Sequence, residues 1–138
     1  MPEKLSMKDE TKLWLTYAQE NLKSSKILLT SHLYNPCLQN VQQTVEKALK
    51  AVFIEKGLKL KKSHDLLELN QILQQHKIEI DISEDECEFL NSIFLPSKYP
   101  IGSALPHYDP DESICQDAIN IGKQTLESVR RFLNPTNS

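Results

Sequence analysis

Apolar residues recur at intervals of three and four along most of the chain, and this period predicts five α-helices. The first predicted helix runs from about Met7 to Ser31. Its core stripe consists of Leu15, Ala18, Leu22, Ser25 and Leu29, broadened by Trp14, Tyr17 and Leu28. The stripe of the second predicted helix is Leu38, Val41, Val45, Ala48 or Leu49, and Val52. Each pattern is typical of a helix that buries one face.

Capping residues set the predicted boundaries of the second and third helices. Asn35 is a suitable N-cap and Pro36 a suitable first helical residue, so the second helix is expected to start there. Gly57 would end that helix, because glycine readily adopts the left-handed conformation after a last turn. Ser63 is the predicted cap of a third helix over residues 64–76.

Two further helices follow from similar signals. Ser83 and Glu86 have the spacing of a capping box and predict a helix over residues 84–94. The preceding "IEIDIS" alternates as a strand would, but a lone strand has no partner, so we expect a loop. Asp109 and Pro110 are expected to start the last helix. Its predicted stripe is Ile114, Ala118, Ile121, Thr125, Val129 and Phe132.

Together the five helices predict an all-α fold, an antiparallel up-down bundle. Three helices of about 20 residues would each be about 30 Å long, with the two shorter ones covering one end. We expect a single domain over residues 7–134, with flexible tails at 1–6 and 135–138. The segment "LPSKYPIGSALPHYDPDE" holds four prolines and cannot form one regular element.

Composition narrows the possible functions. A net charge of −3 gives no global basic field for nucleic acid, although a local patch remains possible. No apolar run approaches the roughly 20 residues that span a membrane. The three cysteines, Cys37, Cys87 and Cys115, are widely spaced and read as reduced thiols of a cytoplasmic protein. The histidines lack metal-ligand spacing and there is no glycine-rich phosphate loop, so neither metal nor cofactor is expected.

Candidate chemistry first arises in "NVQQTVEKALKAVFIEKG" on the second helix. Gln42, Glu46 and Lys50 recur every four residues and form one stripe, and Gln43, Lys47 and Lys50 form its neighbour. Two interpretations remain open for these polar residues. They are either a solvated helix face or one wall of a ligand site.

A second candidate is "PSKYP", where Lys98 and Tyr99 lie between two prolines. A stiff loop that presents a cation and an aromatic ring is a plausible ligand contact, although Tyr99 could simply pack the loop onto the bundle. His107 would be the nearby group able to move a proton near neutral pH. His64, next to the cap of the third helix, is interpreted as structural or solvated.

The order of these features resembles the HEPN family of small helical domains. The resemblance rests on "WLTYAQENLKSSKILL" in the first helix, "QQTVEKALKAVFIEKG" in the second, "SHDLLELNQIL" at the third and "KYP" before the last. It spans roughly residues 12–132. It implies that polar residues of the central helices line a groove.

Many members of that family are ribonucleases or toxins that act as dimers, and others pair with small nucleotidyltransferase proteins. The ribonucleases carry an arginine four to six residues before a histidine, a pair suited to binding phosphate and transferring protons. The only arginines here are Arg130 and Arg131, and no histidine follows them. Lys98 stands where the family arginine would, but lysine lacks the planar fork that binds phosphate.

The sequence therefore predicts a non-catalytic nucleotide- or RNA-binding module of the HEPN type that works as a homodimer. The predicted binding residues are Gln42, Glu46, Lys47, Lys50, Lys98, Tyr99 and His107. Two alternatives remain open. One is a divergent ribonuclease or the toxin-type partner subunit of a small nucleotidyltransferase, and the other is a pure protein-interaction bundle.

Overall fold

The structure is a computed structural model that describes residues 7–60, 62–94 and 110–134. Within these ranges there are five helices and no strand, so the predicted all-α fold is confirmed. The helices are α1 (Asp9–Thr30), α2 (Tyr34–Glu55), α3 (Leu66–Gln75), α4 (Glu84–Phe94) and α5 (Glu112–Leu133). Residues 78–83 form an irregular connection, as expected. Both predicted tails lie outside the described residues.

Helix α2 is the central element, because α1 and α5 pack on one side of it and α3 and α4 on another. Helix α1 runs antiparallel to α2, since Lys8 before α1 bonds the Ile54 carbonyl and the Glu55 carboxylate near the end of α2. Helix α5 runs in the same direction as α2. Cys115 approaches the Tyr34 carbonyl where both helices begin, and Lys56 lies over the Phe132 ring where both end.

The predicted core stripe of α2 is confirmed, because all six of its residues are buried to 1% exposure or less. In α1 the predicted residues Leu15, Ala18, Leu22 and Ser25 are buried. Tyr17 is instead exposed, since it lies toward the opposite side of the helix.

The stripe of α5 is rotated slightly from the predicted one. Ile114, Ile121 and Phe132 lie at the edge of the buried face, which runs through Cys115, Ile119, Gly122 and Leu126. Gly122 allows close packing there, because a side-chain carbon would stand 3.4 Å from methyl groups of Leu22 and Val41.

Two predicted helix ends are confirmed by their hydrogen bonds and dihedral angles. Gly57 follows the end of α2 with φ +67°, in the left-handed region that glycine favours. At α4, the Glu86 N–H donates to the Ser83 hydroxyl at 3.1 Å and the Ser83 N–H donates to the Glu86 carboxylate at 2.9 Å. This reciprocal pair is the predicted capping box.

Three predicted helix starts are wrong. Helix α2 begins at Tyr34 after Leu33, so Asn35 and Pro36 lie inside its first turn. The cap of α3 is Asp65 rather than Ser63, since the Asp65 carboxylate accepts the Glu68 N–H. Helix α5 begins at Glu112, because the carboxylate of Asp111 accepts the Ile114 N–H. Proline and serine side chains favour several adjacent positions at a helix start, and tertiary contacts select among them.

The three cysteines are buried and none of them forms a disulfide, in agreement with reduced thiols. Burial raises the pKa of Cys37 and of Cys87 to about 12, so neither is a nucleophile near neutral pH. None of the described helices is long and apolar enough to cross a membrane.

Candidate functional site

The polar stripe of α2 is buried. Gln42, Glu46 and Lys50 are only 0%, 5% and 7% exposed. For these three residues the interpretation as a solvated face is therefore wrong. Gln43 and Lys47, on the neighbouring stripe, are half-buried and still reach solvent.

Three donors converge on the Glu46 carboxylate. The Lys50 ammonium lies 2.8 Å from Oε2, and Nδ1 of His64 lies 3.0 Å from Oε1 and 3.1 Å from Oε2. The Gln42 amide donates to Oε1 at 3.3 Å. Because an ionised carboxylate only accepts hydrogen bonds, we assign the His64 proton to Nδ1. We call these four residues the Glu46 cluster.

Opposing effects act on the pKa of the Glu46 carboxyl. Burial is the largest influence and pushes the pKa of its carboxyl upward. Hydrogen bonds from Lys50 and His64, together with the charges of both groups, outweigh burial and bring the pKa below its usual 4.5. Glu46 is therefore ionised at neutral pH and forms a buried ion pair with Lys50.

His64 is the member of the Glu46 cluster whose side chain reaches solvent. Its side chain is 55% exposed, whereas that of Glu46 is only 6% exposed. The His64 carbonyl also accepts a hydrogen bond of 3.4 Å from the Gln42 amide. The connector before α3 is therefore held to α2 through both the main chain and the imidazole of one residue.

The sequence interpretation missed this role of His64. The available signal was the combination of a polar stripe at spacings of four with a histidine immediately before a helix. Because 18 residues separate Glu46 from His64, no local pattern joins them.

The N-terminus of α3 lies beside the cluster, but side chains of the protein already bond its first N–H groups. The Leu66 N–H donates to the Asn91 amide oxygen at 2.8 Å, and Asp65 accepts the Glu68 N–H. Asn91 in turn donates to Asp65 at 2.8 Å, which fixes α4 against the start of α3. These donors are therefore used within the protein.

Lys47 belongs to a second group of polar residues between α1 and α2. Its ammonium donates to the Asn21 amide oxygen at 2.8 Å and lies 5.7 Å from the centre of the Tyr17 ring. The neighbouring Gln43 amide donates to the Gln42 amide oxygen at 2.9 Å, which connects this group to the Glu46 cluster. Lys47 is thus a positioned, half-buried cation.

Of the predicted site residues, the structure joins Gln42, Glu46 and Lys50 directly and places Lys47 on the next stripe. Lys98, Tyr99 and His107 lie outside the described residues, and their participation stays a prediction. Within residues 7–60, 62–94 and 110–134, no group of three metal-ligating side chains could hold a metal ion.

An open groove of about 280 Å³ lies elsewhere, between α4 and α5. It is lined by the apolar residues Phe89, Ile114 and Ile121 and by three acidic residues, Asp85, Glu86 and Asp117. These carboxylates would repel phosphate, so we do not assign a nucleotide to this groove.

The ion pair makes folding stability depend on pH in a defined direction. Folding lowers the pKa of the Glu46 carboxyl. The ionised carboxylate therefore stabilises the fold fully at any pH above its pKa in the unfolded chain, and this stabilisation is lost as pH falls through its pKa in the folded protein. We expect the difference in unfolding free energy between wild type and Glu46→Gln to be largest near neutral pH and to shrink below about pH 4.5. Denaturant titrations from neutral to acidic pH measure this difference. A difference that stayed constant over that range would contradict the assigned pKa shift.

Comparison with known proteins agrees with this architecture. The chain is 25% identical over 134 residues to "Putative toxin MJ1304" of Methanocaldococcus jannaschii, which covers 88% of this chain and 87% of that protein. The fold resembles the crystal structure of ST0689, an archaeal HEPN homologue, with a TM-score of 0.71 at 20% identity, covering 89% of this chain and 97% of that one.

It also resembles the crystal structure of TT1696 from Thermus thermophilus. The TM-score is 0.72 at 23% identity, and the match covers 90% of this chain and 98% of that one. At these identities the two structures show a shared fold. The sequence model of the HEPN domain family matches residues 11–132 of this chain. This protein therefore belongs to the HEPN domain family.

Proposed function

We propose that this HEPN domain is a non-catalytic module that binds the phosphate of a nucleotide or RNA beside the Glu46 cluster and works as a homodimer. One observation carries the proposal. A buried carboxylate gathers Lys50, Gln42 and His64, and it holds the exposed imidazole of His64 in a fixed orientation.

The energetics of the cluster favour a functional explanation. Removing two charges from water is costly, and apolar residues of similar volume often stabilise a fold as well as a buried ion pair does. A small core therefore has little need of Glu46 and Lys50 for stability alone. What the network supplies is orientation, because the bond from Glu46 to Nδ1 fixes one edge of the His64 imidazole.

The burial of each residue suggests its role. Gln42, Glu46 and Lys50 are too buried to contact a ligand directly and would instead position their neighbours. His64 and Lys47 reach solvent and would contact the phosphate. Lys98 would add a second cation.

Binding measurements test the proposal. We expect Lys98→Ala and His64→Ala each to weaken binding of nucleotides or labelled oligoribonucleotides about tenfold, the ~1.4 kcal/mol expected of one partly exposed charged contact. Tyr99→Ala would weaken oligonucleotide binding further if the ring stacks on a base, an effect of ~1–3 kcal/mol. Lys26→Ala, on the exposed face of α1, removes a positive charge elsewhere and serves as the control. Absence of binding by the wild type at millimolar ligand would contradict the proposal.

A divergent ribonuclease is the second candidate, favoured by the contact between Glu46 and His64. A carboxylate bonded to Nδ1 orients an imidazole as catalytic general bases are oriented. We nevertheless expect no RNA cleavage, because the arginine–histidine pair of the family's ribonucleases is missing from the sequence. Cleavage that disappears in both His64→Ala and Lys98→Ala, with His107→Ala compared alongside, would establish the ribonuclease instead.

The similarity to a protein named as a toxin also supports a role as the toxin-type subunit of a pair. In this version of the proposal, the partner is a small nucleotidyltransferase protein. Co-purification with the product of the adjacent gene, and relief of any growth arrest by that product, would support it. A pure interaction protein would bind such a partner without binding any nucleotide.

A further inference from the structure

The groove between α4 and α5 lies where the two helices separate. Both helices pack on α2, but they make almost no contact with each other. Phe89 of α4 and Ile114 and Ile121 of α5 are half-buried, so each packs against the core and also reaches solvent in the groove. On α5 the two isoleucines share one stripe with Asp117, because the three residues are spaced three and four apart. The groove is therefore an apolar surface with acidic side chains on the same stripe.

Hydrogen bonds near both ends of α4 hold the walls of this groove. Before α4, the Asp81 N–H donates to the Ser128 hydroxyl at 2.9 Å and the Asp81 carbonyl accepts the Gln124 amide at 2.9 Å. These bonds join the start of α4 to α5. Toward the other end of α4, Asn91 donates to Asp65 at 2.8 Å. The groove is thus preformed, so a ligand that fills it would lose little free energy to ordering of the protein.

The part of the chain around the groove is strongly acidic. Residues 78–122, which include α4 and the first half of α5, contain ten Asp or Glu residues, one lysine and no arginine. This stretch has a net charge of −9 in a chain of −3, so the rest of the protein carries +6. Negative charge is therefore concentrated on the side of the molecule that holds the groove.

Helix dipoles account for only part of this charge. Asp85 is in the first turn of α4, where a carboxylate complements the helix N-terminus. Asp117 is in the second turn of α5, where the dipole has little effect. Both side chains are exposed, and within the described residues neither forms an ion pair. A partner that covers the apolar surface must therefore also bring positive charge.

We propose that the groove between α4 and α5 binds a basic amphipathic helix of a partner protein. Apolar side chains of that helix would pack on Phe89, Ile114 and Ile121, and its lysines or arginines would lie beside Asp85 and Asp117. A helix fits this surface because it presents apolar residues three and four apart, with cations on either side of them. The described residues include no strand to which an extended peptide could add. No lining residue belongs to the Glu46 cluster, so this inference is independent of nucleotide binding.

Peptide binding tests the charge requirement. The probe is a fluorescein-labelled peptide of about 16 residues, long enough to form a helix, with leucines four residues apart between lysines. A matched peptide carries glutamate at every lysine position. We expect the lysine peptide to bind with a dissociation constant in about the micromolar range, and more weakly at high salt. The glutamate peptide should not bind.

Variants of the protein locate the bound peptide. Asp117→Lys should raise the dissociation constant of the lysine peptide about tenfold, because a repulsive charge replaces an attractive one. Glu127→Lys makes the same charge change on an exposed part of α5 outside the groove and should have a much smaller effect. Ile121→Gln should also weaken binding, whereas Ile27→Gln, which removes an exposed isoleucine from α1, should not. Helical spectra check that each variant is folded.

Several outcomes would overturn the proposal. Equal binding of the two peptides, no binding at millimolar concentration, or equal weakening by Asp117→Lys and Glu127→Lys would each do so. A wild type that self-associates while Asp117→Lys stays monomeric in light scattering would assign the groove to a second copy instead. Binding that appears only after residues 95–109 are replaced by a glycine–serine linker would assign it to that segment. Nucleotide binding by Asp117→Lys should match the wild type, which keeps this test separate from that of the proposed function.

Discussion

Val45→Asp is expected to abolish folding at ordinary temperatures. Val45 is completely buried at the middle of α2, the helix against which the other four pack. An aspartate there would either carry an unpaired charge in the core or take up a proton, and both alternatives are costly. We expect a loss of more than about 4 kcal/mol, set against the 5–15 kcal/mol that stabilises a typical domain.

Circular dichroism during thermal and urea unfolding measures this loss. Gln39→Asp, at an exposed position of the same helix, controls for the low helix propensity of aspartate and should cost about 0.5 kcal/mol. A variant at Val45 that unfolded within a few degrees of the wild type would show that the core does not centre on α2.

Glu46→Gln is expected to have the second largest effect, because it leaves the Lys50 ammonium buried without a counter-charge. Lys50 is 7% exposed and its ammonium donates to Glu46 at 2.8 Å. Breaking a buried pair by removing one charge typically costs about 3–5 kcal/mol, whereas removing both charges costs much less. The double variant Glu46→Gln with Lys50→Met should therefore recover most of the lost stability.

A double-mutant cycle on unfolding free energies tests this coupling. If the losses from Glu46→Gln and Lys50→Met simply add, the two side chains do not form the buried pair. The rescued double variant also separates stability from function. It should fold well but bind nucleotide less tightly than wild type, because His64 would no longer be held by a charged acceptor.

Helical periodicity was sufficient to predict the five helices and the core stripe of α2, because both depend on local spacing. Helix starts were less accessible. Several residues near each start can serve as a cap, and the carboxylates that accept the helix N–H groups are those of Asp65 and Asp111.

The Glu46 cluster shows most clearly where sequence interpretation stops. Gln42, Glu46 and Lys50 recur every four residues, and this spacing is the same for a solvent-exposed helix face and for a buried stripe. Their burial depends on the connector before α3, which returns to α2 and places His64 against Glu46. That contact is made between distant segments, and neither segment alone signals it.

Locating the binding position of a phosphate-bearing ligand on the protein is the most direct test of the proposed function. Nuclear magnetic resonance spectra of the folded protein, recorded while a nucleotide or short oligoribonucleotide is added, would report the binding position residue by residue. We expect saturable shifts at the His64 imidazole and at Lys47, with Gln74 on the far part of α3 unaffected. Shifts confined to other surfaces, or none at millimolar ligand, would contradict the conclusion that the Glu46 cluster supports a nucleotide site.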